Sequence, residues 1–169
     1  MKRLFFIIAV FLLGVGANAQ ENFYVDGGEI IWRRVFNSDA DLGTIERNFR
    51  SKGCFRDFNS GPGIITAELQ DFKMNVEAAG YKRMSVPLYL PNGVFSAFVI
   101  VQVKEGRYRV TVRRITYHVD RIGSSMLSDV SLSDDGTIMD KFTGSPANII
   151  NFNFFNLFCN LGEEEDNDW

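Results

Sequence analysis

The chain has one histidine and two cysteines, and nucleophilic or imidazole chemistry would have to be built around them. His118 stands two residues before Asp120 and shortly ahead of Ser124, Ser125 and Ser128. Serine, imidazole and carboxylate are the parts of a hydrolytic relay, in which the imidazole takes the serine's proton and the carboxylate orients the ring. A small-hydrolase reading therefore rests on His118. None of those serines is framed by the glycines of a nucleophile elbow, and neither Cys54 nor Cys159 lies in a catalytic-thiol signature. A lone histidine at a strand end is by default solvated or hydrogen-bonded.

Other chemistries find less. One histidine and two distant cysteines give no zinc spacing. Gly61-Pro62-Gly63 does not open a helix, so it is no phosphate loop. Asp134 and Asp135 are adjacent in a turn and do not face each other across a substrate gap. The turn Ser133-Asp134-Asp135-Gly136 lacks the alternating ligands and closing glutamate of a calcium loop. No cofactor, metal or catalytic residue is expected, and the first reading is not an enzyme.

What remains is a surface, and one long hairpin positions it. Val94 to His118 reads as two strands joined by Glu105-Gly106, with glycine free to take the positive φ of a two-residue turn. That turn fixes the register. Val103 then faces Tyr108, Val101 faces Val110 and Val99 faces Val112, which makes a core face. The other face pairs Gln102 with Arg109, Ile100 with Thr111 and Phe98 with Arg113. Past Arg113 the alternation slips, and a bulge near Arg113-Arg114 accounts for it. The strand Ile64 to Met74 alternates Ile65, Ala67 and Leu69 against Thr66, Glu68 and Gln70. The candidate binding surface is thus Glu68, Gln70, Phe98, Ile100, Gln102, Arg109, Thr111 and Arg113, with Thr66 beside them. Phe98 opposite Arg113 suggests a cation–π pair.

The elements around that surface follow from local signals. EIIWRRVF, residues 29–36, is β-branched and aromatic enough for a strand. Ser38 three residues before Asp41 is an aspartate variant of the capping box, and Leu42, Ile45 and Phe49 follow at helical spacing, which predicts a helix over 39–52. Residues 54–58 form a short strand and 59–63 a turn. Residues 75–91 read as a connection. Residues 123–144 are polar, with a short helical turn near 125–130. Ser145 reads as a cap and Pro146 as the first helical residue. Ile150, Phe154, Leu157, Phe158 and Leu161 share one helical stripe, and Phe152, Phe155 and Cys159 a narrower one. Five asparagines between 148 and 160 weaken helix formation, and Ile150, Phe152 and Phe154 also alternate as a strand would. The helix is preferred. The fold class is α+β: an antiparallel sheet of about five strands with helices packed on one face, in the order β-α-β-β-β-β-α.

Lys2 and Arg3 precede an apolar run from Leu4 to Val15, and Ala17-Asn18-Ala19 follows. This is the pattern of a secretory signal peptide cleaved after Ala19, with an apolar run shorter than the roughly 20 residues of a membrane span. Residues 1–19 are therefore set aside, 20–28 form a lead-in, 29–162 a single domain, and 163–169 an acidic tail expected to be disordered. The expected location is secreted or periplasmic, with no transmembrane anchor. Without Lys2 and Arg3, 16 basic residues stand against 21 acidic ones, and five of those acids lie in the tail. The body is balanced and offers no electrostatic footprint for nucleic acid. In an oxidising compartment Cys54 and Cys159 either pair, tying the C-terminal segment to the body, or stay separate buried thiols.

With IIWRRVF, the capped helix and VIVQVKEGRYRVTVRRITYH in view, the chain resembles a family of secreted bacterial domains of unknown function described as having a TATA-binding-protein-like fold. The strongest signature is Lys104-Glu105-Gly106-Arg107-Tyr108-Arg109-Val110. The strand holding Trp32 matches less closely, and the resemblance spans about residues 29–122. It implies a fold and no activity, cofactor or catalytic residue, and the fold name does not import DNA binding. The expected function is a non-enzymatic binding or assembly module for an unknown protein or glycan. The alternatives are the His118 hydrolase and a homodimer through the aromatic C-terminal helix.

Overall fold

The structure, a computed structural model, describes residues 19–163. Residues 1–18 of the expected signal peptide and the acidic segment after Glu163 lie outside the described residues. Seven strands form one antiparallel sheet: β1 (Phe23–Asp26), β2 (Glu29–Asn37), β3 (Phe55–Gly61), β4 (Ile64–Lys73), β5 (Val94–Lys104), β6 (Arg107–Val119) and β7 (Gly123–Met126). The lateral order is β1-β2-β6-β5-β4-β3, and β7 pairs with the far half of β6. The class is the expected α+β, with two more strands than anticipated.

The hairpin β5–β6 has the register its turn dictates. Val103 pairs with Tyr108, Val101 with Val110, Val99 with Val112, and Gln102, Ile100 and Phe98 with Arg109, Thr111 and Arg113. Gly106 takes φ 71°. Val99, Val101, Val110 and Val112 are fully buried. On β4 the same side is lined by Ile65, Ala67 and Leu69.

Helices close this inner face. They are α1 (Leu42–Ser51), α2 (Tyr89–Asn92), α3 (Leu127–Ser131), α4 (Asp140–Thr143) and α5 (Ser145–Phe158). Each sends a buried side chain into one core: Phe49, Leu90, Leu127, Phe142 and Phe154 respectively. α5 dominates, because it carries Ile150, Phe154 and Phe158 along one stripe. Trp32 meets Phe154 edge-on at 5.5 Å and stacks on Phe158 at 5.9 Å. Its indole N–H donates to Asn151 Oδ1 at 2.9 Å, so the buried ring keeps its polar atom satisfied. Asn153, also buried, accepts from the Asn75 N–H and donates to the Ile149 carbonyl. These partners explain how an asparagine-rich segment remains a helix: its asparagines serve the packing.

Several local expectations are corrected. The 20–28 lead-in is a 3-10 turn (Ala19–Asn22) followed by β1, which hairpins onto β2 through Gly27 and Gly28 at φ 60° and 80°. Two positive-φ residues make the two-residue turn that matches strand twist. The α1 cap is Asp41, whose side chain accepts from the Thr44 N–H at 2.7 Å, while Ser38 receives the Ala40 N–H. That bond holds the Asp41 carboxyl below its usual range. α5 is capped at Gly144, so Pro146 falls one residue later than expected. β3 runs on to Gly61, which shortens the turn to Pro62-Gly63. Cys54 and Cys159 are free thiols, the first half-buried and the second exposed, and burial pushes the Cys54 thiol up.

Candidate functional site

The outer face is laid out by strand register. One row runs Val35, Arg109, Gln102, Ile64; the next runs Arg33, Thr111, Ile100, Thr66; a third runs Arg113, Phe98, Glu68, Arg56. The apolar members of these rows stand outside the helix-covered core.

Bulges then set this face. β6 breaks register between Arg113 and Thr116 opposite β5, with Arg114 at φ 50°. β4 breaks at Gln70-Asp71, with Asp71 at φ 55°, and β3 at Asp57-Phe58, with Asp57 at φ 54°. Aspartate tolerates the left-handed region; arginine there is an outlier held by its surroundings. The extra residue in β6 brings both Arg113 and Arg114 to the outer face. Arg113 pairs with Glu29 at 3.2 Å. Arg114 pairs with Glu68 at 3.0 Å and lies over the Phe98 ring at 4.7 Å. The cation on Phe98 is therefore Arg114, and the expected Phe98–Arg113 pair is corrected. The broken alternation marks the slip in the sequence but not which side chain reaches Phe98.

The other expected residues fall as follows. Gln102 Oε1 accepts two bonds from the exposed Arg109 guanidinium, at 3.1 and 2.6 Å. Thr111 is buried and accepts from Arg33 Nε at 3.4 Å, and Ile100 beside it is half-buried. Gln70 is exposed within the β4 bulge, between the Leu69–Ala97 and Phe72–Phe95 pairs with β5, and its backbone N–H donates to the Cys54 carbonyl. Arg33 also lies over the exposed Tyr24 ring at 5.6 Å. Sequence reading missed Arg33, Tyr24 and Arg114. The alternation Glu29, Ile31, Arg33, Val35 carried part of that signal. A hollow of about 210 Å³ opens near the hairpin tip, lined by Val35, Gln102, Lys104, Arg107 and Arg109. A body neutral in total thus gathers cations on one face.

His118 has neighbours of the anticipated types. Its Nδ1 lies 3.0 Å from Ser124 Oγ, and its Nε2 lies 3.7 Å from Asp120 Oδ1. The group is open to water: the imidazole is 54 % exposed and the Asp120 carboxylate wholly so. A carboxylate that exposed and beyond hydrogen-bond reach does not orient an imidazole. Among the described residues no group of three or more histidine, cysteine, aspartate or glutamate side chains is placed to hold a metal. No helix there is long and apolar enough to cross a membrane.

No family model and no curated protein matches the sequence. Two solved structures share the fold. One is a TBP-like protein from Parabacteroides distasonis, with TM-score 0.54 and 12 % identity, covering 82 % of this chain and 93 % of the other. The second is a DUF4468 family protein from Bacteroides ovatus, with TM-score 0.54 and 9 % identity, covering 88 % and 94 %. At such identities the likeness speaks for architecture: the chain has the TBP-like α+β fold.

Proposed function

We propose that this chain is a secreted or periplasmic, non-enzymatic binding or assembly module, and that it engages another protein or a glycan through the outer face of its sheet. The observation that carries the reading is the division of the sheet. Among the described residues the five helices close one face, while Phe98, Ile100, Tyr24 and several arginines share the opposite one. The strained Arg114 strengthens it, because a residue held at φ 50° to lay a cation over an aromatic ring is costly to keep for packing alone. Residues 1–19 support the location. The aromatic α5 is a weaker surface for self-association, since Arg34 already lies over Phe155 at 4.4 Å.

The test is capture from cell-envelope extract with the chain starting at Gln20. Wild type is compared with Phe98→Ala/Arg114→Ala and with a helix-side control, Arg47→Ala, an exposed residue of α1. The expected result is a partner retained by wild type and control and lost by the outer-face pair. Equal recovery by all three removes the sheet face as the binding surface.

A further inference from the structure

β2 is paired along only half of one edge. β1 covers Glu29 to Trp32, whereas β6 follows β2 from Trp32 to Asn37 on the other side. The two-residue turn makes Asp26 and Glu29 a hydrogen-bonded pair, so alternate residues of β2 point their backbone groups toward the β1 side. Arg33, Val35 and Asn37 continue that set. Among the described residues their outward N–H and C=O groups have no backbone or side-chain partner. The opposite edge, β3, is broken by its bulge, a usual protection against added strands. β2 has no bulge, and Arg33 lies folded over Tyr24.

Beside this open half-edge is the hollow of Val35, Lys104, Arg107 and Arg109. Val35 lines it and is 51 % exposed. None of the three cations is ion-paired among the described residues. We infer that this corner of the outer face takes an extended acidic peptide segment of a partner protein, which adds as a strand along Arg33 to Asn37 and turns its carboxylates toward the hollow. Five residues of strand span about 17 Å, enough for three side chains on that face. Backbone pairing supplies the affinity and the cations select acidic side chains. The inference rests on the outer-face reading above and names the chemistry of its partner.

The test uses the isotopically labelled chain from Gln20 and six-residue synthetic peptides. One peptide alternates glutamate with valine, one lysine with valine, and one is the acidic peptide N-methylated at alternate amides. The acidic peptide should slow amide exchange at Arg33, Val35 and Asn37 while leaving Arg34 and Phe36, already bonded to β6, unchanged. Lysine replacement, N-methylation, or the variant Lys104→Glu/Arg107→Glu/Arg109→Glu should each weaken binding at least tenfold. Equal binding of the N-methylated peptide, or of a carboxylated oligosaccharide, would reduce the site to charge attraction and overturn strand addition. Tighter binding by a chain ending at Glu163 would assign the hollow to the chain's own acidic segment and overturn the partner. Loss of envelope capture on changing Phe98 and Arg114, with none on reversing the hollow's charge, overturns this inference and leaves the outer-face reading standing.

Discussion

On the inner face Trp32 lies against Phe154 and Phe158, all three sealed from water; on the outer face Phe98 lies beneath one guanidinium and stays half exposed. Both faces come from the same alternating strands, so the difference is what each strand meets. The inner side chains meet helices and find dense apolar contact. The outer ones meet each other across the strands, through arginines whose guanidinium heads lie over the Tyr24 and Phe98 rings. Burial is concentrated on one side, so substitutions on the other are expected to cost folding less.

That contrast is open to mutation. Phe154→Ala removes a fully buried ring and should cost about 3–5 kcal/mol, read by denaturant unfolding. Tyr108→Phe comes next. The buried Tyr108 hydroxyl donates to the Phe158 carbonyl at 2.7 Å, and losing it should cost about 1–2 kcal/mol. Burial also pushes the Tyr108 and Tyr89 hydroxyls well above the usual tyrosine range. Their contribution is therefore complete below about pH 10, where the unfolded chain titrates, and is lost as pH rises beyond it. Alkaline unfolding should be steep in wild type and flatter in Tyr108→Phe. On the outer face Phe98→Ala should cost about 1 kcal/mol while abolishing partner capture. Smallest of all is Arg114→Gly. It relieves a left-handed arginine and removes an exposed ion pair, so stability should stay within about 1 kcal/mol while capture falls. A fall in stability matching that of Phe154→Ala would make Arg114 part of the core and erase the contrast.

The hairpin was legible because a two-residue turn and a two-residue side-chain period leave one register that buries Val99, Val101, Val110 and Val112 together. The α5 stripe was legible for the same kind of reason. β1 and β7 were not, because Tyr24, Val25, Ser124 and Ser125 alternate too briefly to announce strands, and their pairing is supplied by β2 and β6. The cap of α1 was misplaced by three residues because Ser38 and Asp41 both carry capping oxygens, and only backbone geometry chooses between them. The Arg113-Arg114 slip was visible as broken alternation. Which arginine reaches Phe98 depends on the bulge's dihedral angles, which residue types do not state. The open half-edge of β2 was hidden for a related reason: it exists because β1 is four residues long and the chain before it turns away.

The division of the sheet is tested most directly by hydroxyl-radical footprinting of the chain from Gln20, alone and bound to its captured partner. Phe98, Ile100 and Tyr24 should be labelled in the free chain and protected in the complex, while Phe154 and Phe158 stay unlabelled in both. Outer-face residues already shielded in the free chain, or labelled equally with and without the partner, would contradict the account.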